Sequence, residues 1–259
     1  MRIAVAGGTG VVGGHVVREL EAQGHDAVVL ARSLGVDLTT GAGLDDALNG
    51  VGAVIDVSNT PASRSEAATA FFAAVTTNLQ RAEASAGVAH HVALSIVGID
   101  RVPIGYYEGK LRQEQLCLDS NAAVPATILR ATQFHEFSGQ LLASIPSRLP
   151  LVPAPVMRTQ TVAAREVAQA LVAAALAAPA GRLPDLAGPE KANLSQLVRR
   201  LLRARGRRSL VLPLRVPGRA GRAMADGSLI PRADGPRGTQ TFEAWLASDD
   251  AREWINPAT

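Results

Sequence analysis

Over its first 130 residues this chain alternates short β-branched apolar runs with longer stretches in which apolar residues return at helical spacing. That alternation is the pattern of strands laid parallel and joined by crossover helices. Strands are predicted at residues 2–6, 26–30, 35–37, 53–56, 91–95 and 126–129, with helices between them. The helix predicted over residues 63–86 begins two residues after Pro61 and stops at Gly87, a common helix end. Six such strands with helices on both faces make a doubly wound α/β arrangement. Beyond Phe134 the alternation fades, and Pro146, Pro150, Pro153 and Pro155 read as a loop-rich passage out of the core. Helices are predicted at 165–178 and 194–205, flanking a strand-like 182–186, with a last helix around 239–247. The Gly/Arg/Pro-rich stretch 217–238 reads as a mobile surface loop. The expected division is a first domain at 1–145 and a smaller C-terminal lobe at 146–259, partly interleaved with it.

Composition narrows the classes. At 259 residues and 47% hydrophobic content the chain is long enough for one large α/β core with a small appended lobe. Met1-Arg2 runs straight into a strand without a signal-peptide pattern, and Arg165 and Glu166 interrupt the longest apolar run, 162–178. A cytoplasmic protein with no membrane partner is expected. The single cysteine, Cys117, rules out an intramolecular disulfide and suits a reducing compartment. Nine arginines lie between Arg199 and Arg222, but no aromatic residue accompanies them and the net charge is only +3. A solvated helix face and loop are expected there, and no nucleic-acid partner.

The first strand turns into Gly7-Gly8-Thr9-Gly10-Val11-Val12-Gly13, a G-x-x-G-x-x-G pattern. A dinucleotide pyrophosphate needs main-chain N–H groups at a helix N-terminus, where a β-carbon would block its approach and the helix dipole favours negative charge. Gly7 suits the tight turn, Gly10 the close approach, and Gly13 the packing of the helix on the sheet. The second strand leads into Arg32, whose guanidinium suits a 2′-phosphate where an NAD site usually has a carboxylate. The expected cofactor is NADPH. Asp37 and Leu38 follow the third predicted strand, where the chain can reach the adenine edge. Ser58-Asn59-Thr60 follow the fourth, where it passes the pyrophosphate and ribose. Asp37 and Ser58-Asn59-Thr60 are equally readable as polar turn formers.

The only two tyrosines are Tyr106 and Tyr107, and one of only two lysines is Lys110. Tyr106 and Lys110 form Y-x-x-x-K, an i, i+4 pair on one helix face. In carbonyl reduction a tyrosine hydroxyl gives its proton to the developing alkoxide, helped when a nearby ammonium lowers its pKa and also holds the nicotinamide ribose.

With these motifs in this order the chain resembles the short-chain dehydrogenase/reductases, and more closely their atypical, NmrA-like, NAD(P)H-binding branch. The resemblance rests on 7–13, on Ala93-Leu94-Ser95-Ile96-Val97-Gly98, on Tyr106-Tyr107-Glu108-Gly109-Lys110 and on Leu129-Arg130-Ala131-Thr132-Gln133-Phe134. It implies a Rossmann-type core with a small C-terminal substrate lobe, Tyr106, Lys110 and Ser95 as catalytic residues, and main chain near Phe134 meeting the nicotinamide amide. Two departures from the family stand out: Ser95 sits early, with Val97 nearer the usual place of the substrate-binding serine, and Arg130-Ala131 replaces the frequent Arg-Pro. The function expected is NADPH-dependent reduction of a carbonyl or quinone-like small molecule. Two alternatives stay open, a regulatory protein that senses NADPH without turnover and an epimerase or isomerase that recycles bound cofactor. His135 and Glu136 stand where they can meet substrate or simply open a helix, no residue set has metal-ligand spacing, and a homodimer through helix 165–178 is left open.

Overall fold

The computed structural model describes residues 1–62, 64–146 and 150–257. In chain order they form β1 (Arg2–Ala6), α1 (Val11–Ala22), β2 (Asp26–Leu30), α2 (Leu44–Ala47), β3 (Ala53–Asp56), α3 (Ser65–Ala86), β4 (His90–Ile96), α4 (Gly105–Cys117) and β5 (Ala126–Ala131). There follow α5 (Phe137–Ala143), β6 (Leu151–Pro155), β7 (Arg158–Thr159), α6 (Ala164–Leu176), β8 (Gly181–Arg182), β9 (Ala192–Asn193), α7 (Leu194–Ala204), β10 (Leu210–Leu214), α8 (Gly218–Asp226), α9 (Phe242–Leu246) and α10 (Arg252–Ile255). Contacts divide the chain into two compact units: 1–100 with 104–130 and 165–184, and 101–103 with 131–164 and 185–259.

The first unit carries a six-stranded sheet ordered β2-β1-β3-β4-β5-β8. β1 pairs in parallel with β2 and β3, β3 with β4, and β5 with β8. Central strands of such a sheet are covered on both faces and read as unbroken apolar runs, as in Ile3-Ala4-Val5-Ala6, all fully buried. Flanking helices bury one stripe each: Val12, Val16 and Leu20 on α1, and Ala68, Phe72, Val75, Leu79 and Ala82 on α3. This is the doubly wound Rossmann-type α/β fold expected from the pattern.

Several local expectations are corrected. Residues 35–37 are not a strand: Gly35 adopts φ +82° and Asp37 N–H donates to Ala42 O, so the stretch turns back on itself before it can pair. The sixth strand is instead β8, two residues long, at the start of the predicted 182–186 run. The start of the predicted helix at Ser63 lies outside the described residues; the helix is seen from Ser65. The proline-rich passage contains β6, which alternates buried Val152 and Ala154 with outward-facing neighbours and pairs in parallel with β10. The stretch 217–238, expected as a loop, contains helix α8, whose capping glycine, Gly227, takes φ +91°. In this second unit α7 has a capping box, Asn193 with Gln196, and buries Leu194, Leu197, Val198, Leu201 and Leu202 while its arginines take the other side.

One polar pair lies wholly in the core of the first unit, where His91 Nδ1 meets Glu83 Oε1 at 2.7 Å and both are fully buried. Burial works against the imidazolium, but the Glu83 carboxylate overrides it, with a smaller push from Cys117, and holds His91 well above its ordinary range. A group whose folded pKa is raised stabilises fully below its unfolded pKa and loses that contribution as pH rises through the folded one. Denaturant unfolding at a series of pH values is therefore expected to show wild type losing stability on the alkaline side. The Glu83→Gln variant should be less stable at pH 6 and show less of that alkaline decline; parallel curves for the two would refute this account.

Candidate nucleotide-binding and active site

The chain leaves β1 for β2 on one side of the sheet and returns to place β3 on the other, so the switch point lies at the carboxyl ends of β1 and β3. The glycine turn sits there. Gly7 takes φ +83°, and a β-carbon on it would stand 2.8 Å from Val57 O and 3.0 Å from Ser58 N. A β-carbon on Gly13 would overlap the Gly7 carbonyl, so α1 can pack this closely only without one. Gly10, the N-cap, would meet only Gly7 O at 3.3 Å, and the helix start has neither a side-chain cap nor an acidic residue in its first turn. Its first N–H groups and its positive end are thus left to an external anion, which is what a dinucleotide pyrophosphate requires. Thr9 is exposed beside them, Val11 is half-buried, and Val12 turns into the core.

Arg32 begins a short 3-10 turn directly after β2 and is exposed. Asp37 is committed to its own turn: Oδ1 accepts from Thr39 N–H at 2.8 Å and Thr39 Oγ at 2.6 Å, and these bonds, with Arg32 nearby, lower its pKa. Asn78 on α3 donates to the carbonyls of Leu38 and Thr39 at 3.1 and 2.9 Å, and the Leu38 side chain packs on the core. The loop carrying Asp37 and Leu38 is thereby fastened to α3. Ser58 is buried, and its hydroxyl has no partner among the described residues. Asn59 is exposed next to it.

Helix α4 can lie close on α3 because residue 109 is glycine; a β-carbon there would come within 2.8 Å of the Ala68 main chain. That approach puts the Phe72 ring edge-on to Tyr106, 5.6 Å between centroids, and 4.4 Å beneath the Lys110 ammonium. The Tyr106 hydroxyl donates to Asn59 Oδ1 at 2.7 Å, joining a predicted catalytic residue to a predicted cofactor contact. Lys110 is buried, and its Nζ donates to Leu94 O at 3.1 Å, Gln113 Oε1 at 2.9 Å and, at 3.5 Å, Ser58 O. Burial lowers its pKa to about 8, against the pull of Asp56. The tyrosine differs from expectation: burial, and then Tyr107, raise its pKa, and the ammonium does not lower it. The reason is geometric, since the lysine donates to the Leu94 and Ser58 carbonyls and the Gln113 side chain, and the Tyr106 hydroxyl is not among its partners. Tyr107 is pushed up to about 12 by burial.

Sequence reasoning missed the residues that surround this pair. Asp56 ends β3 fully buried, accepting from Ser58 N–H at 2.8 Å and from Gln113 Nε2 at 2.7 Å. A charged residue closing an otherwise apolar strand was the available signal. Glu114 receives both Arg130 Nε and Nη2, at 2.7 and 2.6 Å, and Asp100 takes Nη1 at 2.8 Å, which anchors α4 to β5. Ser95 sits one residue from the end of β4 with its hydroxyl buried and without a partner among the described residues, while Val97 is fully buried beyond it.

Phe134 belongs to the second unit, half-buried and bridged to Val162. Within that unit His135 is fully buried, with Nδ1 on Thr161 Oγ at 2.8 Å and Nε2 on Gln240 O at 3.0 Å, and its ring packs on Phe242 and Trp245. It also lines a cavity of about 420 Å³ with Thr161, Lys191, Arg200 and Phe242. Glu136 accepts from Trp245 Nε1 at 3.1 Å, and burial pushes its pKa up to about 7. Among the described residues no cluster of His, Cys, Asp and Glu is placed to hold a metal ion, and no helix is long and apolar enough to cross a membrane.

Residues 3–98 match the model of the NAD dependent epimerase/dehydratase family. The match runs from β1 to the turn after β4 and so takes in the glycine turn, Arg32 and the Ser58-Asn59 loop, and the resemblance to the short-chain dehydrogenase/reductases stands on it. No curated protein matches the sequence. In three dimensions the chain is similar to TunA, described as an NAD dependent NDP-hexosamine 5,6-dehydratase, with a TM-score of 0.73 and 17% identity over 100% of this chain and 98% of that one. It is similar to the NADPH-dependent quinone oxidoreductase QOR2 of Escherichia coli in complex with NADPH, with a TM-score of 0.70 and 22% identity over 95% and 98% of the two chains. It is also similar to MoeE5 in complex with UDP-glucuronic acid and NAD, with a TM-score of 0.72 and 16% identity over 99% of each chain. At such identities the likeness shows the fold.

Proposed function

We propose that this chain is an NADPH-dependent oxidoreductase of the atypical, NmrA-like short-chain dehydrogenase/reductase type, reducing a carbonyl or quinone-like small molecule in the cytoplasm. The observation that carries the reading is the place of Lys110, whose buried ammonium lies on the carbonyls of Ser58 and Leu94 near the carboxyl ends of β3 and β4. Those are the strand ends where such folds put nucleotides.

The bound dinucleotide would supply the hydride to the substrate carbon. The chain's own residues handle the rest. Thr9, Val11, Val12 and Gly13 would offer N–H groups to the pyrophosphate, Gly10 the space of a missing β-carbon and Gly7 the tight turn, and Arg32 would offer charge to the 2′-phosphate. Tyr106 keeps its proton at neutral pH because burial raises its pKa, and gives it to the carbonyl oxygen as negative charge grows there. Asn59 holds the hydroxyl in place until then. Lys110 carries positive charge beneath the site below about pH 8.

The test is titration of the purified protein with NADPH and with NADH, followed by fluorescence, in wild type and Arg32→Ala. NADPH should bind roughly tenfold tighter or more, the worth of a charge-assisted contact, and the preference should vanish in the variant. Equal affinities in wild type would remove the NADPH assignment. The family match at 3–98 favours a second reading, an epimerase or dehydratase that recycles its nucleotide. Cofactor that copurifies and survives dialysis would support that reading; exchange on dilution would count against it. The early place of Ser95, inside β4 with buried Val97 beyond it, favours a third, a sensor without turnover, which steady NADPH consumption with any carbonyl compound would eliminate.

A further inference from the structure

The buried groups behind Lys110 form a closed ring of hydrogen bonds. Ser58 N–H donates to Asp56 Oδ1 at 2.8 Å, Gln113 Nε2 donates to Asp56 Oδ2 at 2.7 Å, Lys110 Nζ donates to Gln113 Oε1 at 2.9 Å and returns to Ser58 O at 3.5 Å. The amide of Gln113 is oriented by its partners, because an ammonium only donates and a carboxylate only accepts. Ser58, where the ring closes, and the Val57 carbonyl before it are the groups that a β-carbon on Gly7 would strike. One glutamine therefore ties the helix of the Tyr106–Lys110 pair to the wall of the glycine turn.

We propose that Gln113 is the positioning residue for Lys110, transmitting the Asp56 charge to the ammonium and fixing the Ser58 loop against which the nucleotide turn is built. The proposal rests on the reading that Lys110 serves the nucleotide site. An amide suits this place because it donates to the carboxylate and accepts from the ammonium at once. Leucine would orphan a buried carboxylate and a buried ammonium together, and glutamate would set a second carboxylate against Asp56. The groups that face the ammonium are Asp56 from β3, the Leu94 carbonyl from β4, the Phe72 ring from α3, and Gln113, Glu114 and Cys117 from α4 itself. Phe72 and the carbonyls do not titrate, so ionic control of Lys110 falls to Asp56 first and then to Cys117 and Glu114; Glu114 is already held by two bonds from Arg130.

Lys110 and Lys191 are the only lysines in the sequence, so protein labelled with ¹³Cε-lysine gives two signals, assigned with Lys110→Arg. The Lys110 signal should titrate near pH 8 in the wild type, and roughly one unit lower in Gln113→Leu, where the ammonium loses an acceptor and its link to the carboxylate. Asp56→Asn keeps the shape and removes the charge, and should move the signal in the same direction; it carries the test if Gln113→Leu does not fold. NADPH affinity, measured separately, should fall roughly tenfold in Gln113→Leu as the Ser58 loop is released. A Lys110 signal that titrates at the wild-type pH in the variants that fold would overturn the proposal. Shifted titration with unchanged NADPH affinity would also overturn it, confining Gln113 to a local electrostatic role. The lysine titration needs no turnover, so an enzyme inactive towards every carbonyl compound would sink the reductase reading and leave this result standing.

Discussion

Tyr106→Phe is expected to lower kcat by about 10²–10⁴-fold, the usual worth of a positioned general acid, while NADPH binds within about twofold of wild type. The substitution deletes one oxygen. It leaves the edge-on contact with Phe72 and costs Asn59 a donor at an exposed position, so the fold has little reason to respond. The effect should therefore sit in kcat, because the proton is needed only as charge develops on the substrate oxygen. The pH profile gives an independent reading. If the charged form of Lys110 supports the reaction, wild-type turnover declines as pH rises through about 8, where the lysine gives up its proton, and Tyr106 itself stays protonated well beyond that. A flat profile to pH 10 would detach Lys110 from the chemistry, and a Tyr106→Phe enzyme that turns over at the wild-type rate would detach the tyrosine.

The parts of this site that were legible in the sequence share one property: each is a local pattern whose geometry is set within a few residues. The glycines at 7, 10 and 13 announce a strand–turn–helix because Gly7 takes the left-handed φ of the turn and Gly10 and Gly13 face its carbonyl, and Tyr106 and Lys110 share a face because a helix puts i and i+4 together; the contact of Gly7 with Val57 and Ser58 comes from outside the motif. The Asp56–Gln113 bond spans 57 positions and depends on where β3 and α4 are laid side by side. No periodicity reports that. The same limit explains the expected lowering of the Tyr106 pKa: spacing placed the lysine one turn away, but the direction of its ammonium was decided by the carbonyls of Leu94 and Ser58, which come from other elements.

The false strand at 35–37 has a different cause. Val36 between two polar-tolerant positions resembles an edge strand, but the Gly35 left-handed turn and the Asp37 side chain closing on Thr39 offer the backbone local partners that a three-residue strand cannot match. The predicted loop at 217–238 failed in the opposite sense. Its arginines and glycines looked like solvent-facing chain, yet Ala223 is buried and a β-carbon on Gly221 would overlap the Val216 carbonyl, so small residues there are a packing requirement of α8. Glycine read as a breaker was glycine used for contact.

Two neighbouring glycines of α1 separate those two uses by experiment, and they carry the second large expected effect. In Gly13→Ala the new β-carbon overlaps the Gly7 carbonyl and stands 2.7 Å from Gly8 Cα, both main-chain atoms that cannot step aside as a flexible side chain does. The helix start must move away from the turn, at a cost of about 1–3 kcal/mol, and the N–H groups of its first turn move with it. Because pyrophosphate binding depends on those groups converging, NADPH affinity is expected to fall by roughly 100-fold, about twice in energy what one hydrogen bond contributes. In Gly14→Ala the new β-carbon meets only the tip of Arg18, at 3.6 Å, an ordinary contact. There alanine should instead stabilise the helix by about 0.5–1 kcal/mol and leave affinity unchanged. Thermal unfolding and NADPH titration on the pair decide the matter. Opposite signs in stability, with affinity lost only at position 13, mean that the turn is built around a bound pyrophosphate. Lost stability at Gly13 with affinity retained would make the glycine a packing device alone and place the nucleotide's phosphates elsewhere.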